Sequence, residues 1–412
     1  MPALLKNMQQ NMRQLANIKA MVVDDDVLIH EFVALGLDIL GITNVLKAAS
    51  GEEALAYLDN PINQIDVIFC DLNMPKMDGL ELLRHFASKG FNGAIVLMSG
   101  EDARILKSAT SLAEAHNLTV LGYLEKPLKL ETFKEILSTL KNKVTIKNNL
   151  IEKNVSEADI RNAIKYDQFS LVYQPKVDLL TRQVVGVESL ARWLHPKKGY
   201  ISPIMFINAA EEYGMINQLT DVLFIKALNE AGNWTREGLD LSLSVNLSVD
   251  SLDRLELPEY LVSCAAKAGL DVSTIMIEIT ESRLMRDVAT SLEILSRLCL
   301  KGLSLSIDDF GTGYSTMETL RLVPFAELKI DRSFVTGASH DESKRAILES
   351  SIELAKKLDI KTVAEGIETD VDWQLVKSLG CDQAQGYFIA KPMGTEKLPD
   401  WLDDWNSRKD GR

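Results

Sequence analysis

Short apolar runs that stop at a carboxylate or another polar residue recur along the 412-residue chain, and they constrain its fold more than any other feature. The first five run from Ala20 to Val23, Val45 to Ala48, Val67 to Cys70, Ala94 to Met98 and Val120 to Leu124. Stretches with helical patterning separate and follow them: 28–40, 51–58, 79–89, 103–116 and 129–141. Strands that alternate with helices in this way predict a five-stranded, doubly wound parallel sheet of flavodoxin-like type over residues 19–141.

A polar, Asn/Lys-rich stretch at 142–155 reads as a linker, and Ser156 with Asp159 reads as a helix-capping pair. Eight more strand-like runs follow at 170–173, 184–187, 241–245, 275–279, 303–307, 327–330, 361–364 and 384–389. Eight strands in roughly 250 residues predict a TIM-like (β/α)8 barrel over residues 156–405. Only a short loop joins the first two runs, so an irregular first strand pair is expected. Residues 1–18 form an N-terminal extension with Leu4, Met8 and Met12 at helical spacing, and 406–412 a short tail.

Composition removes several classes of function. A hydrophobic fraction of 46% with 25% charged residues excludes disordered and fibrous chains. A net charge of -14 argues against a nucleic-acid-coating surface, and neither half is cationic: 14 basic against 18 acidic residues up to position 145, then 31 against 41. DNA is therefore not an expected partner. No apolar run approaches the length needed to cross a bilayer, so no membrane association and a cytoplasmic location are expected. Cys70, Cys264, Cys299 and Cys381 form no CxxC pair and fit reduced thiols.

Two sets of polar residues carry chemistry. Asp24, Asp25 and Asp26 end the first run, Asp71 the third, Ser99 the fourth, and Lys126 follows the fifth. In a parallel sheet these ends share one edge, where crowded carboxylates call for a hard divalent cation such as Mg²⁺. In the second half Glu188, Asn246, Glu278, Asp308, Asp309, Lys329, Glu365 and Gln385 all fall at or beside strand ends. In a (β/α)8 barrel those ends converge on the mouth, giving an all-oxygen site for Mg²⁺ or Mn²⁺. The carboxylates outnumber the needs of one octahedral ion, so two ions sharing Asp308 are expected. Two such ions suit in-line phosphodiester cleavage by a bridging water, which Lys329 could polarise.

The strings VVDDD, CDLNMPKMDG, VLMS and YLEKP resemble the receiver domain of two-component response regulators. The resemblance implies phosphorylation of Asp71, one Mg²⁺ held by Asp24, Asp25, Asp71 and Asn73, and a switch built from Ser99, Tyr123 and Lys126. It also implies a cognate sensor histidine kinase or phosphotransfer protein as partner. The strings YQPKV, ESLARW, VNLS, EITES, DDFGTGYS, LKIDRSFV, VAEGIET and AQGYFIAKPM resemble the EAL family of cyclic di-GMP phosphodiesterases. That resemblance implies hydrolysis of cyclic di-GMP to linear pGpG, with Glu188, Asn246, Glu278, Asp308, Asp309 and Glu365 as metal ligands. Lys329, Glu365 and Gln385 would be catalytic, and Gln174, Leu190, Arg192 and Pro392 would bind substrate. Glu281 would anchor the DDFGTGYS loop, and a homodimer or higher homo-oligomer is expected. Ser189 stands where the family's name-giving motif has alanine, and Thr316 and Met317 replace the usual serine and leucine. The alternative reading is a non-catalytic cyclic di-GMP receptor. A synthase domain is excluded by the shortness of the linker.

Overall fold

The computed structural model describes residues 18–128, 132–133, 136 and 155–409, apart from 40, 61–62, 64, 101–102, 117, 281–287 and 313–316. The chain divides into two compact units, Met1–Glu152 and Lys153–Arg412.

In the first unit β1 (Lys19–Val23), β2 (Asn44–Ala48), β3 (Val67–Asp71), β4 (Ala94–Ser99) and β5 (Thr119–Glu125) form one parallel sheet in the order β2-β1-β3-β4-β5. Successive side chains of a strand face opposite sides, and here both sides are covered. Ile68, Cys70 and Leu97 pack with Leu82 and Phe86, whereas Phe69, Val96 and Met98 pack with Val33, Leu37 and Phe133. Burial on both faces is why these strands read as unbroken apolar runs. Ser50 and Asp78 cap α2 (Gly51–Asp59) and α3 (Gly79–Ser88), each side chain accepting a backbone N–H three residues on. Helices α1 (Val27–Ile39) and α4 (Ala103–Ala115) complete the described layers. Most of the helix expected over 129–141 and of the linker lies outside the described residues.

The second unit opens with α5 (Glu157–Lys165), where Ser156 and Asp159 form the expected capping box. Strands β6 (Phe169–Asp178), β7 (Val184–His195), β9 (Ser242–Asn246), β10 (Ile275–Thr280), β11 (Ser304–Phe310), β12 (Glu327–Ile330), β13 (Lys361–Ala364) and β14 (Gln383–Ala384) form the barrel. It closes through pairing of β6 with β7. β6 runs antiparallel to both its neighbours, which is the irregularity that the short first loop requires. A three-residue β8 (Gly199–Ile201) adds to the outer edge of β7.

Two runs differ from the sequence expectation. β7 does not stop at position 187: antiparallel partners on both its edges carry it to His195. The apolar run at 384–389 stays a strand only through Ala384 and then turns, with Ile389 and Ala390 both donating to the Gly386 carbonyl. A side chain at Gly386 would collide with the backbone of Ile367, so the chain bends where only glycine fits.

Within the barrel strands, Leu243, Val245, Ile277, Ile279, Leu305, Ile307, Leu328 and Ile330 belong to the hydrophobic core. Each such side chain contributes about 1.5–3 kcal/mol on burial. The intervening positions are Ser244, Glu278, Ser306, Asp308, Glu327 and Lys329, so the fold is stabilised on one face of each strand and the other face is left for chemistry. Among the described residues no helix is long and apolar enough to cross a membrane.

Candidate active site

Lys329 sits at the centre of the barrel mouth and is 1% exposed. Its Nζ lies 2.8 Å from Glu365, 2.9 Å from Glu278, 2.9 Å from Asp308 and 3.4 Å from Glu188. Glu188 is held from its other side by two amides. Asn246 Nδ2 donates to Oε1 at 2.9 Å, and Gln385 Nε2 donates to Oε2 at 2.7 Å. Gln385 also donates to Gln174 Oε1 at 3.2 Å, which ties β6 into the same network. Glu365 follows β13, and its N–H is bonded to the Ile330 carbonyl on the neighbouring strand.

Asp308 and Asp309 sit on a break in the β11–β12 register between Ile307 and Phe310. Asp309 adopts φ 55°, a left-handed conformation that is costly for a residue with a side chain and is found where a site dictates backbone geometry. The irregularity lets consecutive residues both reach the mouth, where strict alternation would send one of them outward.

One ammonium faces four carboxylates here, so the cluster carries excess negative charge. Burial and the neighbouring acids push Glu278 up to about 8, and burial likewise pushes Glu365 up to about 8 and Asp309 up to about 6. Burial also works to raise Glu188, but Lys329 and its two amide donors outweigh it and hold the group below the usual carboxylate range. Lys329 is stabilised as a cation, because the surrounding carboxylates outweigh the burial that would neutralise it. Carboxylate oxygens of Asp308, Asp309 and Glu365 all lie within 4.8 Å of one another. Gln385 Oε1 is buried at the mouth without a hydrogen-bond partner, whereas Glu278 Oε1, also without one, lies deeper and faces Lys176 at 3.6 Å. Hard oxygen donors with unused lone pairs around uncompensated charge fit a divalent cation.

A cleft of about 280 Å³ opens above the cluster, lined by Gln174, Glu188, Leu190, Asp308, Lys329, Glu365 and Gln385 together with Arg332, Glu368 and Tyr387. A second cavity of about 480 Å³ reaches from Leu190 and Arg192 to Asn246 and Asp309. Pro392 precedes Met393, whose backbone pairs with Tyr173 beside Gln174.

In the first unit Asp24, Asp25 and Asp71 bring carboxylate oxygens within 4.8 Å of one another. Lys126 Nζ lies 2.8 Å from Asp24 and 2.9 Å from Asp71. Burial raises Asp71 above its ordinary value, although Lys126 and the Asn73 backbone N–H oppose the shift. Asp71 Oδ1 is buried and has no hydrogen-bond partner, so this pocket also fits a hard cation. Ser99 is buried at the end of β4, its carbonyl accepting the Lys126 N–H. Tyr123 stands in register with Leu97. Gly79 lies against the Asp71 carbonyl, where a side chain would not fit, so α3 can start close behind this edge.

A model of the EAL domain matches residues 157–392, more than half of the chain. The chain belongs to the EAL domain family. A model of the response regulator receiver domain matches residues 20–138, which makes the first unit a receiver domain. Cyclic di-GMP phosphodiesterase RocR of Pseudomonas aeruginosa is 34% identical over 87% of this chain and 92% of its own length. Among solved structures, the PaMucR phosphodiesterase in complex with c-di-GMP is 38% identical over 58% of this chain and 98% of that one, with a TM-score of 0.56. The EAL enzyme Bd1971, bound to cAMP and cyclic di-GMP, is 29% identical over 66% of this chain and 75% of its own, with a TM-score of 0.57.

The EAL barrel thus brings Glu188, Glu278, Asp308, Lys329, Glu365 and Gln385 together as the sequence predicts. Glu281 lies outside the described residues, as do residues 313–316 of the DDFGTGYS loop. The serine in the Glu-Ser-Leu motif is buried and satisfied: Ser189 Oγ donates to the Ser244 carbonyl at 2.9 Å. The hydroxyl therefore joins β7 to β9, and Ser189 borders the second cavity. Sequence reasoning missed Arg332, Glu368 and Tyr387 on the cleft wall. It also missed Lys176, Glu327, Ser244 and Ser306 beneath it. Period-two alternation of polar residues within apolar runs was the available signal for the last four.

Proposed function

We propose that the barrel hydrolyses cyclic di-GMP to linear pGpG with two divalent cations, Mg²⁺ or Mn²⁺, and that phosphorylation of Asp71 regulates it. The observation that carries this reading is the single Lys329 ammonium among four carboxylates at the barrel mouth, beneath a cleft. Glu188, Asn246, Glu278, Asp308, Asp309 and Glu365 would hold the ions. Bound there, the cations supply an activated water for in-line attack and neutralise charge on the phosphoryl oxygens.

The chain's own groups do the rest. Gln385 and Asn246 fix the rotamer of Glu188, so this carboxylate is pre-aimed. Lys329 provides a positive charge that needs no reorganisation as negative charge grows on the scissile group. Arg192 would hold a phosphate through its planar guanidinium, and Gln174, Leu190 and Pro392 would contact a guanine. Hydrolysis consumes one water and breaks one phosphodiester P–O bond. The carboxylates supporting this chemistry are present, which favours an enzyme over a receptor that only binds the dinucleotide.

In the receiver, Asp71 would take a phosphoryl group from a sensor histidine kinase or phosphotransfer protein, with one Mg²⁺ held by Asp24, Asp25, Asp71 and the Asn73 backbone. The group brings a charge near -2 and new acceptor oxygens, which Ser99 and Lys126 can engage while Tyr123 changes rotamer. A homodimer or higher oligomer is part of the same proposal. The deciding experiment measures cyclic di-GMP hydrolysis by the full chain in Mg²⁺, before and after phosphorylation of Asp71 by acetyl phosphate. Absence of pGpG in both states would refute the catalytic reading, and identical rates would refute the regulatory one.

A further inference from the structure

Below the carboxylate cluster the barrel interior holds a second, separate charge pair. Lys176 comes from β6 two residues after Gln174, so both side chains point inward, Gln174 at the cluster and Lys176 one layer deeper. Lys176 is 3% exposed, and its Nζ bonds to both oxygens of Glu327, at 2.9 and 3.1 Å, and to Ser244 Oγ at 2.8 Å. Ser306 Oγ donates to Glu327 Oε1 at 3.0 Å from the next strand. The remaining side of the ammonium faces Glu278 Oε1 at 3.6 Å. That oxygen has no hydrogen bond, whereas the other oxygen of Glu278 is bonded to Lys329 at 2.9 Å.

We propose that Lys176, braced by Glu327, Ser244 and Ser306, is a positioning residue that holds the Glu278 carboxylate from below and keeps it aimed at the metal site. The inference rests on the reading of the barrel as a metal-dependent phosphodiesterase. A buried ammonium bonded to Glu327 on one strand and Ser244 on another, with Ser306 bracing Glu327 from a third, is held in place and so defines where the inner oxygen of Glu278 rests. The outer oxygen is then left to the mouth. Without Lys176, Glu278 would have to present one oxygen to a cation while leaving the other buried with no compensating charge, which is costly. Lys176 does not line the cleft, so its route to the mouth runs through Glu278.

The test compares the parent chain with Lys176→Met/Glu327→Leu, following Mn²⁺ binding by electron paramagnetic resonance without substrate. The double replacement removes a neutral pair and leaves the net charge of the interior unchanged, and such swaps are tolerated in packed cores. It should fold, with a near-ultraviolet circular dichroism spectrum like the parent's. Its Mn²⁺ affinity should fall about tenfold or more, as when groups supporting a metal ligand are removed. The Mn²⁺ concentration for half-maximal hydrolysis should rise in parallel, while KM for cyclic di-GMP holds. Unchanged or tighter Mn²⁺ binding in the folded double variant would overturn the inference. Should that variant not fold, Ser244→Ala removes one anchor of the ammonium and should weaken Mn²⁺ binding in the same direction by a smaller factor. No weakening there would overturn the inference as well. A parent whose Mn²⁺ binding is indifferent to Glu188→Ala would instead bring down the metal-site reading, and the inference with it.

Discussion

Both units gather carboxylates around one lysine, yet the two lysines stand in different surroundings. Lys126 follows a strand, keeps about a fifth of its side chain exposed (22%) and reaches two carboxylates. Lys329 lies inside a strand, is almost wholly buried and reaches four. The difference lies in the cations, because the carboxylates are buried in both units: Asp24 and Asp71 are 0% and 2% exposed, Glu188 and Asp308 6% and 8%. A lysine that follows a strand reaches the sheet edge from the solvent side, whereas one inside a closed barrel is enclosed by the wall.

The sharpest way to break this comparison is at Glu188. Glu188→Ala should bring hydrolysis below detection in a chromatographic assay of pGpG, because it removes a ligand that two amides pre-orient. Full turnover would mean that the barrel cluster is structural. Asp71→Asn should abolish labelling by acetyl phosphate, because the amide cannot accept the group, and should leave the barrel able to hydrolyse. Acid-labile label that persists would place the phospho-acceptor elsewhere.

Replacing Mg²⁺ by Ca²⁺ should inhibit hydrolysis strongly, since Ca²⁺ prefers longer bonds and looser coordination than closely spaced carboxylates provide. Equal rates would show that the enclosed cluster is less demanding than its geometry implies. The smallest effect comes from a carboxylate belonging to neither site. Burial tends to raise Asp159, but bonds from Lys198 and from Ser156 outweigh it and depress the group well below the usual range. A depressed carboxyl stabilises the fold above its unfolded value and loses that contribution as pH falls through its folded one. Asp159→Asn should therefore cost about 1 kcal/mol near neutral pH, read as a lower melting temperature. The deficit should shrink in acid, and one that is constant across pH would assign the loss to packing.

Much of this was legible beforehand because strand patterning and site chemistry share the same positions. Asp71 ends an unbroken apolar run, and Lys329 lies between Leu328 and Ile330, so each polar residue announces the end or the inner face of a strand. Lys176 shows the limit. It sits in the string Gln-Pro-Lys-Val, where it reads as an ordinary strand lysine, and its partner Glu327 lies 151 residues away. Nothing local in a sequence can pair the two.

The sequence by itself determined the two units, the strand counts of sheet and barrel, and the acidic side chains that gather at each site, because burial on one or both faces leaves a periodic trace. Tertiary structure alone decided that β6 also pairs with β14 to close the barrel, that Asp309 turns into the mouth through a left-handed residue, and that one ammonium is shared by four carboxylates. Those outcomes depend on closing the barrel, which sets distances between residues far apart in the chain.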